Sequence, residues 1–292
     1  MGEPSVDDVY EQVRKALPAQ AHDAVRTLAQ VAPGIRVLAL RTPTLPPAAH
    51  TNVYLVGPDQ GPVLVVDPGS PYADQQAILV EALAGVPVEA VLLTHHHGDH
   101  VGGAMAVGAP VWAHALTAKR LAGRVTIARE LADGERIGET TCVFTPGHAE
   151  GHLCFEHGDA TIAGDMVAGL GTILIDPDEG DMTLYLRSLE TLLARGTRTL
   201  LPAHGPVIAD GPAKLREYIA HRTMREDRIV AALAARRGAA LGELVAEVYS
   251  DTPAILWPLA ERSLRAHLAK LVREHRASEA SPGRWTSTAG PL

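Results

Sequence analysis

The sequence predicts an α/β fold followed by a smaller, mainly helical module. Strand-like and helical runs alternate from about residue 63 to residue 201, which is the pattern of a sheet covered by helices. After residue 210 the apolar residues recur mostly at helical spacing. In addition, five apolar strand-like runs each end in a polar residue of a type that binds metal. These observations predict both the architecture and the location of the functional site.

The elements of the first 210 residues follow from local patterns. Val6, Val9, Val13 and Leu17 recur at helical spacing, and the spacing continues to residue 31, so residues 1–31 are expected to be a helical extension. Residues 32–210 are expected to form the main domain. Its predicted strands are residues 35–40, 52–56, 63–67, 90–94, 111–115, 141–145, 160–164 and 198–201, and its predicted helices are residues 73–84, 101–107 and 183–194.

The remaining residues, 211–292, are expected to form a second domain. Helical spacing covers residues 213–237, 242–249 and 262–275, and a turn with a short strand follows in residues 281–288. Three helices and a β-wing are the components of a winged helix-turn-helix domain.

Composition limits the classes of protein to consider. The 292 residues carry a formal net charge of −8, but residues 212–292 hold 13 Lys and Arg against 9 Asp and Glu. A basic tail on an acidic chain is compatible with an anionic partner and equally with a solvated helical surface. Neither a membrane span nor a secretory signal is visible, so a cytoplasmic location without membrane association is expected. The two cysteines, Cys142 and Cys154, lie in apolar runs and are expected to be buried free thiols.

The segment Thr94–His100 carries the strongest chemical signal. It places four imidazoles and one carboxylate in seven residues, directly after a strand-like run. Each buried ring brings a donor and an acceptor that need partners, and a divalent cation satisfies several rings at once. Imidazole and carboxylate without a nearby thiolate are typical of zinc, manganese or iron in a hydrolytic site.

The other strand-like runs end in residues of the same kind. Asp67, His148, Asp165 and His204 each follow an apolar run, as His95 does. Loops beyond one edge of a sheet hold the functional groups of α/β proteins, so these side chains are expected to converge on one rim.

These motifs resemble those of the metallo-β-lactamase superfamily. The pattern His95-x-His97-x-Asp99-His100 matches the family's signature, and Asp67, His148, Asp165 and His204 match its first, third, fourth and fifth motifs. The resemblance spans about residues 35–210 and implies an αββα sandwich. Residues 180–189, 221–226, 241–249 and 265–271 are further similar to the lactamase-β-like branch, which carries a C-terminal winged helix and includes an endoribonuclease.

The resemblance also implies the roles of the site residues. His95, His97 and His148 would bind one divalent ion, Asp99, His100 and His204 a second, and Asp165 would bridge the two. Zn²⁺ is the expected metal, with Mn²⁺ and Fe²⁺ as alternatives. The two ions would share a hydroxide, which makes Asp99 and Asp165 the expected catalytic carboxylates. Asp67 is expected to orient a ligand rather than to bind metal. No residue is assigned to substrate binding.

Four other histidines are weighed against more ordinary roles. His96 lies between two ligands and is expected to face away from the metal, since side chains alternate along an extended backbone. His152 is expected to support the loop of His148, His114 to be an ordinary half-buried histidine, and His50 to lie in a loop or reach the rim of the site. Tyr185 falls on an apolar helical stripe and is expected in the core.

Four functions remain open from the sequence. The first is a two-metal RNA phosphodiesterase, which the winged helix and its basic charge favour and the 4% aromatic content disfavours. The second is hydrolysis of an acyl thioester, ester or β-lactam by the same hydroxide. A mononuclear iron persulfide dioxygenase and a non-enzymatic nucleic-acid-binding protein are weaker alternatives. The expected partners are therefore an acyl compound or RNA, and the apolar face of the C-terminal region would also suit a homodimer or a wall of the active site.

Overall fold

Two β-sheets, stacked face to face and flanked by helices, form the larger part of the protein. The computed structural model describes residues 6–17, 27–236 and 238–288. The first sheet contains seven strands in sequence order: β1 (Ala29–Ala32), β2 (Ile35–Arg41), β3 (His50–Val56), β4 (Val63–Val66), β5 (Val88–Leu92), β6 (Val111–His114) and β7 (Ile127–Leu131). Strands β1 to β4 are antiparallel, and β4 to β7 are parallel.

The second sheet contains five strands in the order β12-β11-β10-β9-β8. They are β8 (Arg136–Ile137), β9 (Thr140–Phe144), β10 (Leu153–His157), β11 (Ala160–Gly164) and β12 (Thr199–Pro202), and only β11 and β12 are parallel. The helices of this part are α1 (Val6–Ala16), α2 (Ala73–Ala82), α3 (Gly98–Val101), α4 (Ala115–Arg120) and α5 (Met182–Ala194), and a 3₁₀ turn spans Ala104–Val107.

Alternation of side chains along the strands explains the layered packing. In β2, Ile35 and Val37 face the second sheet and pack in one core with Phe155 of β10. Leu38 and Leu40 face the other way and pack with Leu79 of α2. Because successive side chains point to opposite faces, one apolar strand can contribute to both layers. The result is the predicted αββα sandwich, with α5 on the outer face of the second sheet.

The C-terminal part is a winged helix joined to the sandwich by one long helix. Its elements are α6 (Gly211–Ala234), β13 (Ala239–Ala240), α7 (Leu241–Val248), a 3₁₀ turn (Ala254–Leu256), α8 (Trp257–Arg273), β14 (Ala277–Ser281) and β15 (Arg284–Ser287). The first half of α6 packs on the sandwich through Leu215 and Tyr218. Its second half packs through Ile229 with Leu244 and Leu264 of the winged helix. One helix therefore belongs to both cores.

The helix prediction for residues 1–31 is wrong at its end. Residues 6–16 are helical, residues 18–26 lie outside the described residues, and Ala29–Ala32 form the edge strand β1 of the first sheet. A segment of four residues that includes the polar Gln30 is too short for its sequence pattern to distinguish a strand from a helix. Its conformation is decided by pairing with β2. Strands β7, β8 and β10 and helix α4 were also not predicted from the sequence.

Two further expectations can be compared with the structure. Cys142 and Cys154 are buried free thiols, as predicted. None of the helices within the described ranges is long and apolar enough to cross a membrane.

Candidate metal centre

The strand ends bring all the predicted site residues to one edge of the sandwich. Asp67 follows β4, and Thr94–His100 follow β5, which is parallel to β4, so both segments leave the first sheet at the same edge. The segments after β9, β11 and β12 leave the second sheet there too, and they carry the remaining predicted residues, His148, Asp165 and His204. Stacking of the two sheets thus assembles one site from five loops.

Close approach of two loops shapes this edge. A Cβ at Gly69, which follows Asp67 and Pro68, would lie 1.7 Å from the carbonyl oxygen of Asp99. Only glycine allows the segment after β4 to touch the backbone of the histidine loop at this point. Gly69 therefore fixes the distance between the first and second motifs.

Three histidine nitrogens meet in what we call the first cluster, which consists of His95, His97, His148 and Asp165. His95 Nε2 lies 2.9 Å from His97 Nδ1 and 3.3 Å from His148 Nε2, and the latter two atoms are 3.1 Å apart. Tetrahedral zinc with Zn–N bonds near 2.0–2.1 Å has ligand–ligand edges of about 3.3 Å. The triangle of nitrogens is close to the size that such an ion requires, with edges of 2.9 to 3.3 Å.

Asp165 connects the first cluster with a second cluster, which consists of Asp99, His100 and His204. Its Oδ2 lies 3.4 Å from His148 Nε2. Its Oδ1 lies 3.6 Å from His100 Nε2 and 3.4 Å from His204 Nε2. Asp99 Oδ2 is 3.6 Å from His204 Nε2. One carboxylate therefore presents one oxygen to each cluster, as the bridging role assigned to Asp165 requires.

In each of these histidines, the ring nitrogen that faces away from the clusters lies within hydrogen-bond distance of another group. His148 Nδ1 lies 2.9 Å from the carbonyl oxygen of Leu174, and His204 Nδ1 lies 3.0 Å from that of His50. A carbonyl only accepts, so both Nδ1 atoms donate, and Nε2 is the nitrogen that each ring directs toward the site. The other three histidines have similar contacts. His95 Nδ1 lies 3.0 Å from Thr94 Oγ1, His97 Nε2 lies 2.8 Å from Glu179 Oε2, and His100 Nδ1 lies 2.8 Å from Asp67 Oδ2.

Asp67 has the orienting position expected of it. Its carboxylate accepts hydrogen bonds from the Thr94 backbone N–H at 2.8 Å and from the Thr94 hydroxyl at 2.6 Å, besides contacting His100. Its backbone has a φ of 49°, a left-handed conformation that Asp tolerates better than most residues. Outer partners of this kind fix the tautomer and direction of a metal-binding histidine.

The electrostatics of the clusters fit cations. Among the described residues, His100 Nε2 and Asp165 Oδ1 are buried polar atoms without a hydrogen-bond partner. Burial holds the pKa of His95 well below its usual value and lowers that of His148 to about 4, so both rings are neutral at neutral pH. Burial would raise the pKa of Asp165, but His204 and His100 outweigh it and hold that pKa well below the usual range. Neutral lone pairs and ionised carboxylates in a buried pocket suit divalent metal ions.

Glu179 is a site residue that the sequence analysis missed. It lies between β11 and α5, far along the chain from His97, whose Nε2 it holds. The adjacent His96 and His97 rings lower its pKa below the usual range, so it is a carboxylate acceptor. The acidic run of residues 176–181 was the available signal, but no spacing rule connects it with the histidine loop.

The other weighed residues take supporting positions. His96 is buried outside both clusters, with Nε2 3.4 Å from Glu179 Oε2. His152 Nε2 accepts the Asp165 backbone N–H at 3.1 Å, and its Nδ1 lies 2.8 Å from the Thr145 hydroxyl, so both nitrogens hold the loops together. The remaining three are His114, which caps α4, His50, whose carbonyl anchors His204, and Tyr185, which is buried in the core.

A cavity of about 710 Å³ opens onto the two clusters. Residues His97, Asp99, His148, Asp165 and His204 line one part of it. Much of the remaining wall is apolar and comes from several elements: Leu45, Pro46, Pro47, Ala48, Leu170, Ile173, Leu174, Leu256, Leu259 and Ala260. The winged helix and α6 thus form part of the wall of the candidate active site.

Helix α8 also clamps the segment that carries Glu179. The Arg262 guanidinium contacts both oxygens of Asp176, with Nη2–Oδ1 at 2.8 Å, and reaches Asp178 at 2.5 Å. Asp176 is buried, and its backbone carbonyl accepts the N–H of Gly180 at 2.7 Å. The C-terminal domain therefore holds a segment that in turn holds a predicted metal ligand.

Comparisons with known proteins agree with this architecture. A model of the metallo-beta-lactamase superfamily matches residues 46–126 and 114–204, and a model of the beta-lactamase associated winged helix domain matches residues 241–285. The chain belongs to the metallo-β-lactamase superfamily. It is a metallo-β-lactamase-fold hydrolase with the associated winged helix domain. These matches confirm the predicted fold and family.

Individual relatives add detail. The lactamase-like protein vrtG of Penicillium aethiopicum is 33% identical over 273 residues, which cover 82% of this chain and 85% of that protein. The atrochrysone carboxyl ACP thioesterase of Passalora fulva is 30% identical over 217 residues, which cover 69% of this chain and 64% of that protein. A crystal structure of a metallo-beta-lactamase family protein from Thermus thermophilus matches with a TM-score of 0.72 and 24% identity over 88% of this chain and 100% of that one.

Proposed function

We propose that this protein hydrolyses acyl thioesters and uses two divalent metal ions, with Zn²⁺ as the expected metal. The observation that carries the proposal is the position of the two clusters at a cavity whose wall is largely apolar. An acyl chain gains free energy by leaving water for such a wall, at about 25 cal/mol per Å² of apolar surface buried. The similarity to an acyl carrier protein thioesterase supports the same substrate class.

RNA fits this cavity less well. Four carboxylates line it, Asp99, Asp165, Asp176 and Glu179, against four arginines, Arg14, Arg124, Arg222 and Arg225, so the cavity has no excess of positive charge to attract a phosphate backbone. Proteins that bind single strands present aromatic stacking platforms along a positive groove. Within the described residues the cavity wall has two aromatic side chains besides histidines, Tyr10 and Tyr249. The basic character of the C-terminal region does not by itself create an RNA site.

The chain's own groups account for the reaction as follows. Bound divalent ions would supply Lewis acidity at the scissile carbonyl and lower the pKa of water toward neutrality. The anchored histidines and Asp165 hold the site in one geometry without reorganisation. Asp99 lines the cavity and is placed to accept the proton that water loses. The water oxygen forms a bond to the carbonyl carbon, and collapse of this adduct to the carboxylic acid breaks the C–S bond. The sulfur leaves as a thiolate, which needs little acid assistance because thiol pKa values are about 8.5.

A parallel assay tests this function. Metal-loaded protein is incubated with an acyl thioester, a single-stranded RNA and a chromogenic β-lactam, and Asp165→Asn serves as the blank. We expect thioester hydrolysis that falls by more than about 100-fold in the blank, since even outer partners of metal ligands contribute 10- to 100-fold. Metal content is measured in both proteins. Cleavage of RNA with no thioester hydrolysis would reverse the proposal, and activity that survives in the blank would reject the mechanism.

A further inference from the structure

A buried arginine on the cavity wall has no acidic partner among the described residues. Arg222 of α6 lines the cavity with 4% of its surface exposed. Its Nη2 donates to the carbonyl oxygen of Ile173, while its Nε is buried and unpartnered. Within residues 6–17, 27–236 and 238–288, no carboxylate lies within ion-pair distance of this guanidinium. A buried charge without a counter-charge destabilises a protein unless something else compensates it.

The carboxylates of the surroundings are already engaged. Asp176 is paired with Arg262, and Glu179 with His97. Asp251 is shared by Arg225 and Arg228, at 2.7 and 2.9 Å. Among the described residues, Arg222, Arg225 and Arg228 of α6 thus have one carboxylate within ion-pair distance, Asp251.

A purely structural role does not account for the charge. The contact with Ile173 needs one N–H donor, which a neutral side chain could supply. The Tyr185 ring, whose centroid lies 5.4 Å from Arg222 Cζ, offers a cation–π contact of modest strength. Neither contact uses Nε or requires a full positive charge at the surface of a cavity. Arg225, the next residue of α6 on this wall, also has a buried Nε without a partner among the described residues.

We propose that Arg222, flanked by Arg225, anchors an oxyanion of the substrate, so that the preferred thioesters carry a carboxylate or a phosphate at a distance from the scissile carbonyl. The substrate anion then supplies the counter-charge that Arg222 lacks, and a guanidinium fork suits both groups by bidentate hydrogen bonding. This inference rests on the proposed thioesterase activity for its kinetic test, while the anion subsite can be tested by binding alone.

Three matched substrates test the selectivity of the unaltered protein. They are a neutral acyl pantetheine thioester, the same acyl group on 4′-phosphopantetheine, and a pantetheine thioester of an acyl chain that ends in a carboxylate. We expect kcat/KM to be about 10- to 100-fold higher for at least one anionic substrate than for the neutral one, the usual range for a charge-assisted bidentate contact. Preference for the second substrate places the anion on the thiol side, and preference for the third places it on the acyl side. Equal kcat/KM for all three would overturn the inference.

Variants of α6 assign the selectivity to one residue. Arg222→Gln should lower kcat/KM for the preferred anionic substrate at least about tenfold more than kcat/KM for the neutral one, and Arg222→Lys should restore part of the difference. Arg216→Gln, an exposed arginine of the same helix, is the matched control and should leave all three values unchanged. An equal loss on neutral and anionic substrates in Arg222→Gln would show that Arg222 only supports the fold.

Binding separates this inference from the proposed reaction. Phosphopantetheine and glutarate are titrated by calorimetry into metal-loaded wild type, Arg222→Gln and Arg216→Gln. We expect Kd to rise at least about tenfold for one of the two probes in Arg222→Gln only. If that difference is found while no thioester is hydrolysed, the thioesterase proposal fails and the anion subsite stands. If neither probe distinguishes Arg222→Gln from wild type, the subsite is rejected even where thioesters are hydrolysed.

Discussion

The contact between α8 and the Glu179 segment leads to a prediction about metal affinity. Arg262→Met removes the guanidinium that holds Asp176 and Asp178 and keeps an apolar stem of similar length. The side chains of Arg262 and Asp176 are only 14% and 9% exposed, so the change leaves a mostly buried carboxylate without its counter-ion. Breaking a buried pair in this way costs about 3–5 kcal/mol. Asp178 is 73% exposed and adds little, so we expect a loss of about 3 kcal/mol.

Release of this segment should also weaken metal binding. Glu179 directly follows Asp178 and accepts from His97 Nε2 at 2.8 Å, so displacement of the segment frees a predicted ligand to rotate. Outer-sphere partners of metal-binding histidines contribute about 10- to 100-fold in affinity, and we expect a loss near the lower end of that range. Urea unfolding of the metal-free protein measures the stability, and competition with a chromophoric zinc chelator measures the affinity.

A second arginine of the same helix provides the control. Arg273 pairs with Asp181, but its side chain is 52% exposed, so Arg273→Met should cost less than about 1 kcal/mol and leave the zinc affinity unchanged. If Arg262 acts through Glu179, adding Arg262→Met to Glu179→Ala should lower the affinity no further. Equal effects of the two arginine variants on zinc affinity would refute the reasoning, as would a fully additive double variant.

Three other predictions concern single residues. Glu179→Ala should lower zinc affinity by about 10- to 100-fold with little change in stability, measured by the same chelator competition. Gly69→Ala should lower the free energy of unfolding by about 3 kcal/mol or more, because the new Cβ meets the Asp99 carbonyl at 1.7 Å and backbone must move. For Glu226, burial alone would raise the pKa, but hydrogen bonds from Lys270 and Arg276 help to lower it to about 2. Its stabilisation, about 3 kcal/mol above pH 4.5, should therefore disappear as the pH falls from 4.5 toward 2.

Each of these predictions has its own comparison. Glu179→Gln keeps an oxygen acceptor and should retain more affinity than Glu179→Ala, whereas equal losses would mean that contact with His97 is irrelevant. Gly98→Ala lies in the histidine loop with nothing near its Cβ and should be tolerated, so equal destabilisation at both glycines would contradict the steric argument. The acid transition of Glu226→Gln should be shallower than that of wild type, and an unchanged slope would show that Glu226 does not titrate with unfolding.

The sequence identified the ligand candidates because their signals are local. The pattern from His95 to His100 and the polar residues Asp67, His148, Asp165 and His204 each follow an apolar run, and strand geometry alone predicts that such residues share a sheet edge. The structure places all of them there. Their function as metal ligands stays a prediction until metal binding is measured. The strand Ala29–Ala32 was predicted incorrectly, because four weakly patterned residues take their conformation from the sheet they join.

The sequence by itself therefore determined the family, the layered fold and the side chains around the candidate metal centre. Only the tertiary structure revealed the contact of Glu179 with His97, the contact of Arg262 with the segment that carries Glu179, and the position of Arg222 on the cavity wall. These residues act across separations of about 50 to 90 positions, where no periodicity or spacing rule connects them. Their contacts depend on how the winged helix packs against the sandwich, because burial and distance, rather than residue type, decide whether an arginine is an exposed surface charge or a functional group.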